Sequence, residues 1–146
     1  MVDGVEDPRN LGAVLRTAEA TGVGGVLIPS RRSCSITPTV IKSSAGGALH
    51  LKIARIGNVV QALEKLKREN YWVMGLDMQG KCSTNEIDTG SRTLLVVGGE
   101  HQGLRKTVQQ HCDFLVALPM KGRVSSLNLS VATGVVLYEI VRKNRG

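Results

Sequence analysis

The sequence predicts a single α/β domain with a mainly parallel sheet and helices on both of its faces. Apolar runs of strand length (Gly25-Val26-Leu27-Ile28, Tyr71 to Leu76, Leu94 to Val97, Phe114 to Ala117) alternate along the chain with segments of helical period. The loops after the last two runs are polar and turn-forming, which is where such sheets place their ligands. The length of 146 residues is that of one domain able to bury a real core.

Taken in order, Met1 to Val5 reads as a short edge or first strand. Asp7-Pro8 opens a helix, with a carboxylate to cap it and proline in its first turn. Leu11, Val14, Leu15 and Ala18 then recur at i, i+3, i+4 and i+7, and Gly22 ends the helix. Pro29 stops the strand at Gly25 to Ile28, Thr37-Pro38 opens a brief helix to about Lys42, and Ser43 to Gly47 reads as a flexible loop. Leu51 to Ile56 alternates as an edge strand would. Asn58 caps a helix that carries Val59, Ala62, Leu63 and Leu66 on one face. Asp77 to Ser91 shows no strong period and reads as a loop. A helix from Leu104 to His111 separates the strands Leu94 to Val97 and Phe114 to Ala117, and the last helix runs from Asn128 or Leu129 to Arg142. That helix is apolar almost all the way round, so it should be buried on more than one side. One side meets its own sheet, and Val135 and Tyr138 are placed to meet a second copy of the chain.

Composition excludes several classes. No run of 18 apolar residues offers a membrane span, and MVDGVEDPRN has neither the basic start nor the apolar core of a signal peptide. Cys34, Cys82 and Cys112 are odd in number and lack CxxC spacing, so they read as reduced thiols of a cytoplasmic protein and not as a zinc site or a disulfide framework. The net charge of +7 points to an anionic partner. With only four Phe, Trp and Tyr residues, stacking of bases on an aromatic platform is a poor fit, and phosphate contact is the better one.

Two loops carry the chemistry. Gly98-Gly99-Glu100-His101-Gln102-Gly103 follows the strand Leu94 to Val97, and its spacing is not that of a GxGxxG dinucleotide fingerprint. Leu118 to Val135, LPMKGRVSSLNLSVATGV, passes through Pro119 and Gly122 and presents Ser125, Ser126 and Asn128 just before the last helix. There is no P-loop and no GxSxG elbow. Taken singly, the serines are an ordinary helix cap and His101 a lone loop histidine; Arg16 alone would read as a solvated residue on the polar side of its helix.

In combination, DPRNLGAVLRTAEATGV, LLVVGGEHQGL and LPMKGRVSSLNLSVATGVVLYE resemble the three motifs of the SpoU (TrmH-type) RNA ribose 2′-O-methyltransferases, with SSAGGALH between the first two. The resemblance runs along essentially the whole chain and is closest to the bacterial enzymes that methylate a guanosine of 23S ribosomal RNA. It implies a deep C-terminal trefoil knot, an exception to the general absence of knots. It further implies an S-adenosylmethionine site and a homodimer through the C-terminal helix; with no metal-ligand cluster in the sequence, the cofactor is expected to bind without a metal. Carried over by position, cofactor contacts fall at Gly98, Leu118 and Leu127, with Gly99, Met120 and Ser126 nearby. Asn10, Arg16, Glu100, Ser126 and Asn128 match the residues at the reacting end. An arginine holds its proton, so Arg16 is expected to act as an electrostatic partner of the RNA phosphate and of the developing alkoxide, and the base stays open.

Close relatives carry an RNA-binding domain ahead of this one, whereas residues 1–146 read as the catalytic domain alone. The chain is thus expected to be either a minimal enzyme or an excised domain. Two other readings accompany the ribosomal one: a tRNA ribose methyltransferase, and a non-catalytic RNA-binding or ribosome-assembly factor on the same fold.

Overall fold

The structure, a computed structural model, describes residues 1–86 and 92–144. Residues 87–91, the end of the predicted 77–91 loop, lie outside these residues. Six strands and five helices are present among those described: β1 (Val2–Asp3), α1 (Pro8–Ala20), β2 (Val26–Pro29), α2 (Pro38–Ser43), β3 (Ile53–Ile56), α3 (Val59–Arg68), β4 (Trp72–Leu76), β5 (Thr93–Gly98), α4 (Lys106–Gln110), β6 (Phe114–Val116) and α5 (Leu129–Lys143). Four strands form a sheet in the order β1-β5-β4-β6, and β2 pairs with β3 in a second ladder. Every pairing is parallel.

The helices start where their caps dictate. The Asp7 carboxylate accepts from the backbone N–H groups of Arg9 (2.7 Å) and Asn10 (3.2 Å), satisfying donors that a helix start leaves free. Asn58 accepts from Gln61 N at 3.1 Å, and Thr37 from Val40 N at 3.3 Å. Along β4 and β5 the side chains alternate across the sheet, as a period of two requires. Val73 and Val96 face α3 and α4, packing with Leu63, Leu104 and Val108. Met74, Leu95 and Val97 face the other way, toward Leu11 and Leu15 of α1 and Val136 of α5. Both faces are therefore covered. Leu11 and Leu15 are wholly buried, so truncating either to alanine should cost about 2–5 kcal/mol.

Four local expectations change. The Ser43–Gly47 segment is not a free loop. The buried Ser44 hydroxyl donates to Ile41 O (2.9 Å) and accepts from Ala48 N (3.2 Å), and a short 3-10 turn follows over Gly47–Leu49. A second 3-10 turn occupies Thr84–Glu86 inside the predicted loop. Helix α4 begins only at Lys106, because Arg105 keeps an extended backbone while its guanidinium makes two bonds of 2.9 and 2.8 Å to the buried Asp3 carboxylate. In α5, Thr133, Val136 and Leu137 are buried, but Val131, Val135 and Tyr138 are 52%, 42% and 57% exposed. One apolar side of α5 thus faces inward and the other is open.

Because β4, β5 and β6 run parallel, their carboxyl ends share one edge of the sheet. The loops after these three strands converge there, and that convergence builds the site.

Candidate active site

The three loops enclose a cleft of about 570 Å³. Its floor is Gly98 to Gly103, a tight turn closed by Gly103 N donating to Gly99 O at 2.9 Å. No side chain fits at Gly98, where a Cβ would collide with the Gly103 carbonyl, nor at Gly99, where it would meet the Gly4 carbonyl. Only glycine lets the backbone pass here. Leu118, Met120, Ser125, Ser126 and Leu127 form a second wall from the loop after β6. The end of β4 contributes the third through Leu76, Asp77 and Met78.

At one end of the cleft, three side chains form a directed chain of hydrogen bonds. Asn128 caps α5, its Oδ1 accepting from the backbone N–H of Ser130 (2.9 Å) and of Val131 (3.4 Å) and from the Ser130 hydroxyl (2.6 Å). With Oδ1 committed to donors, Nδ2 must face the other way, and it donates to Asn10 Oδ1 at 3.2 Å. Asn10 is oriented in turn, and its Nδ2 donates to Glu100 Oε1. A helix cap thereby sets the aim of a carboxylate far away in sequence. The second oxygen of Glu100 has no hydrogen-bond partner among the described residues.

The structure brings Gly98, Gly99, Leu118, Met120, Ser126 and Leu127 together on the cleft wall, with Glu100 and Asn128 beside them. Asn10 joins through its bonds to the last two. Arg16 does not line the cleft. It stands exposed on α1, with no side-chain partner among the described residues, and its backbone lies against Gly47. Sequence reasoning missed Asp77 and Gln109, which also line the cleft. The Asp77 carboxylate accepts from Gln79 N (2.9 Å) and from Gln109 Nε2 (3.1 Å). Its signal was available, since it is the first residue beyond a parallel strand.

Among the described residues no group of three His, Cys, Asp or Glu side chains is placed to hold a metal. His101 lines the cleft without a histidine or cysteine companion of that kind. Burial pushes the Cys112 thiol up to about 11, with the nearby Lys67 ammonium opposing the shift. Cys112 lies behind β4 and β6, against Gly75, and takes no part in the cleft.

A glycine floor, apolar walls and a few convergent polar groups suit a small, partly apolar ligand. Residues 1–138 match the model of the SpoU rRNA Methylase family. The chain belongs to this family. A TrmH-family tRNA/rRNA methyltransferase relative from Staphylococcus saprophyticus is 44% identical over 143 residues, covering 98% of this chain and 57% of the relative. The chain thus spans little more than half of that curated relative's length. Among solved structures, the SpoU methyltransferase AviRb from Streptomyces viridochromogenes, in complex with the cofactor AdoMet, superposes with a TM-score of 0.90 at 28% identity, covering 99% of this chain and 57% of AviRb. The A. aeolicus TrmH/SpoU tRNA modifying enzyme gives 0.89 at 29% identity, covering 99% of this chain and 73% of that one. This SpoU domain therefore shares the α/β framework of AdoMet-binding relatives.

Proposed function

We propose that this SpoU domain transfers a methyl group from S-adenosylmethionine to a ribose 2′-hydroxyl of RNA, with a guanosine of 23S ribosomal RNA as the acceptor. The observation that carries the reading is the directed chain Asn128–Asn10–Glu100 at the end of a cleft whose glycine floor admits no side chain. Gly98, Gly99, Leu118, Met120 and Leu127 would hold the cofactor, main-chain groups reading its polar edges and the apolar side chains packing its faces. The bound cofactor supplies an electrophilic methyl group on a sulfonium centre. The free oxygen of Glu100 accepts from the ribose hydroxyl and orients it, and Ser126 adds a further polar contact on the same wall. Holding the reactants in line in this way can supply much of the barrier lowering. Arg16, standing free on α1, meets the RNA phosphate from the solvent side and offsets the negative charge that develops on the oxygen.

The same reading makes the C-terminal crossing a knot. In its support, segment 80–82 lies along residues 115–117, with Cys82 N donating to Leu115 O (3.3 Å) and Ala117 N to Cys82 O (3.2 Å). Lys143 at the far end of α5 also reaches the Thr84 carbonyl of that loop. The domain acts as a homodimer through Leu127, Val131, Val135 and Tyr138, spaced as one stripe along the start and outer side of α5. It works in the cytoplasm, and no helix among the described residues is long and apolar enough to cross a membrane.

A tRNA acceptor is the second reading, favoured by the likeness to the A. aeolicus tRNA modifying enzyme. Methyl transfer from labelled S-adenosylmethionine to ribosomal and to transfer RNA, followed by mapping of the modified ribose, separates them. Label on a 23S guanosine is the expected result, and label confined to tRNA selects the second reading. Cofactor binding with no label in either RNA would make the domain a non-catalytic RNA-binding factor.

A further inference from the structure

A second cavity of about 300 Å³ lies on the other side of the Gly99–Gly103 turn, and Glu100 belongs to the walls of both. Resting on the reading above, we infer that this cavity seats the base of the acceptor nucleotide and that Glu6 selects guanine there. A methyl transfer needs two ligands meeting at one point, and only the thin turn carrying Glu100 separates the two cavities. A ribose oriented by Glu100 therefore has the cleft on one side and this cavity on the other. At about 300 Å³ the space is at the lower limit of small-ligand pockets, suited to one flat group and not to a larger ligand.

The wall chemistry picks the base. Glu6 and Arg32 are exposed on this wall, and neither has a hydrogen-bond or ion-pair partner among the described residues. The other charged pair of the cavity, Asp3 with Arg105, is closed on itself by its two bonds and has little left to offer. A carboxylate only accepts hydrogen bonds. Guanine presents two neighbouring donors, N1–H and the N2 amino group, to a two-oxygen acceptor. Adenine and cytosine present one amino group on that edge, and uracil one ring N–H. Glu6 thus prefers guanine. A free carboxylate is otherwise a cost where a polyanion must dock.

Arg32 supplies the compensating charge. Its backbone is held at a φ of +56°, a conformation that non-glycine residues adopt rarely and at a cost. The loop around it is tied down on both sides: Cys34 N donates to Val5 O (2.9 Å), Ser30 N to Ile56 O (2.8 Å) and Arg55 Nη1 to Cys34 O (3.1 Å). The strained loop presents an unpaired guanidinium at the cavity wall, suited to the phosphate of the nucleotide whose base faces Glu6.

The probes are the four 5′-monophosphates, GMP, AMP, CMP and UMP, titrated into the chain saturated with S-adenosylhomocysteine and followed by saturation-transfer NMR. The wild type should bind GMP about tenfold more tightly than the other three, the scale of one good bidentate contact. Glu6→Gln should remove that preference, and Arg32→Ala should weaken all four alike without changing their order. Both side chains are exposed, so both variants should fold, which circular dichroism checks. Equal affinities in the wild type, no binding of any of the four, or a GMP preference that survives Glu6→Gln would each overturn the inference. Methyl transfer by the wild type to bulk RNA tests the underlying activity separately. Transfer without a Glu6-dependent preference removes the base pocket alone, and a Glu6-dependent GMP preference without transfer removes the enzyme reading alone.

Discussion

On the proposed reading Arg16 meets the acceptor RNA and Gly98 the cofactor, and single substitutions should tell the two roles apart. The Arg16 side chain is exposed, has no hydrogen-bond or ion-pair partner among the described residues and does not line the cleft, so Arg16→Ala should leave cofactor affinity nearly unchanged. Its methyl-transfer rate at saturating RNA should fall by about a hundredfold or more, the scale for losing one well-placed electrostatic group. Arg16→Lys should rescue little, since an ammonium cannot reproduce a planar two-pronged contact. Near-normal turnover of Arg16→Ala would remove it from the mechanism. Gly98→Val should show the reverse, with cofactor binding by calorimetry lost first, because any Cβ there meets the Gly103 carbonyl. Cys112 gives a pH signature of another kind. Its ordinary value of 9.0 is raised to about 11 in the fold, so between these limits the unfolded chain loses a proton that the folded chain keeps. Stability from this group is therefore complete below pH 9 and lost as pH rises toward about 11. Urea midpoints across that window should fall less steeply in Cys112→Ser, and iodoacetamide should leave Cys112 unmodified at neutral pH until the protein unfolds.

Helix α5 does two things through one residue, its cap. Asn128→Asp keeps a good capping oxygen and adds favourable charge at a helix start, so the melting temperature should hold within a few degrees. The substitution also replaces the amide donor facing Asn10 with an acceptor. Asn10 would then have to turn its own donor toward residue 128 and present a carbonyl to Glu100. Misaiming that carboxylate should lower methyl transfer by about a hundredfold with stability intact. Parallel losses of activity and melting temperature would show that the cap, and not the aim, is what matters. A similar economy holds at α4, whose late start follows from Arg105 reaching Asp3. The ion pair ties the end of β1 to the segment just after the glycine turn, and removing the half-buried Arg105 would leave the buried Asp3 carboxylate without its partner, at a cost of about 1–3 kcal/mol.

For the whole molecule, the open stripe of α5 is the feature that a lone domain does not explain. Large apolar side chains at 52%, 42% and 57% exposure, for Val131, Val135 and Tyr138, fit a second copy packing by twofold symmetry. Sedimentation should show a dimer at micromolar concentration, and Val135→Asp should give a folded monomer, because an unpaired charge is costly to bury between two helices. A monomeric wild type would overturn the assignment. Leu127 stands both in this stripe and on the cleft wall, so the monomeric variant should also bind cofactor less tightly.

The sequence by itself determined the alternation of strands and helices, the caps at Asp7 and Asn58, and the inward faces of α1 and α3, whereas the cap of α5 proved to be Asn128 and not the serines before it. These are local: a hydrophobic period and a capping oxygen act within a few residues, and both are written in the chain. It also marked the glycine turn and the Ser126–Asn128 loop as candidate sites, first by their place after two apolar strands and then by motif resemblance. What only the tertiary structure decided depends on residues far apart in sequence. Ser44 holds a supposedly free loop by side-chain bonds that no composition signals. Arg105 shortens α4 because Asp3, 102 residues away, is a better partner than its own helix. Asp77 and Gln109 reach the cleft because three parallel strand ends meet at one edge, whereas Arg16 stays outside it, further along α1 than the Asn10 that joins Glu100 and Asn128. Sequence patterns record what each segment tends to do alone. The meeting of Asn10, Glu100 and Asn128 is set by the packing of α1 and α5 on one sheet.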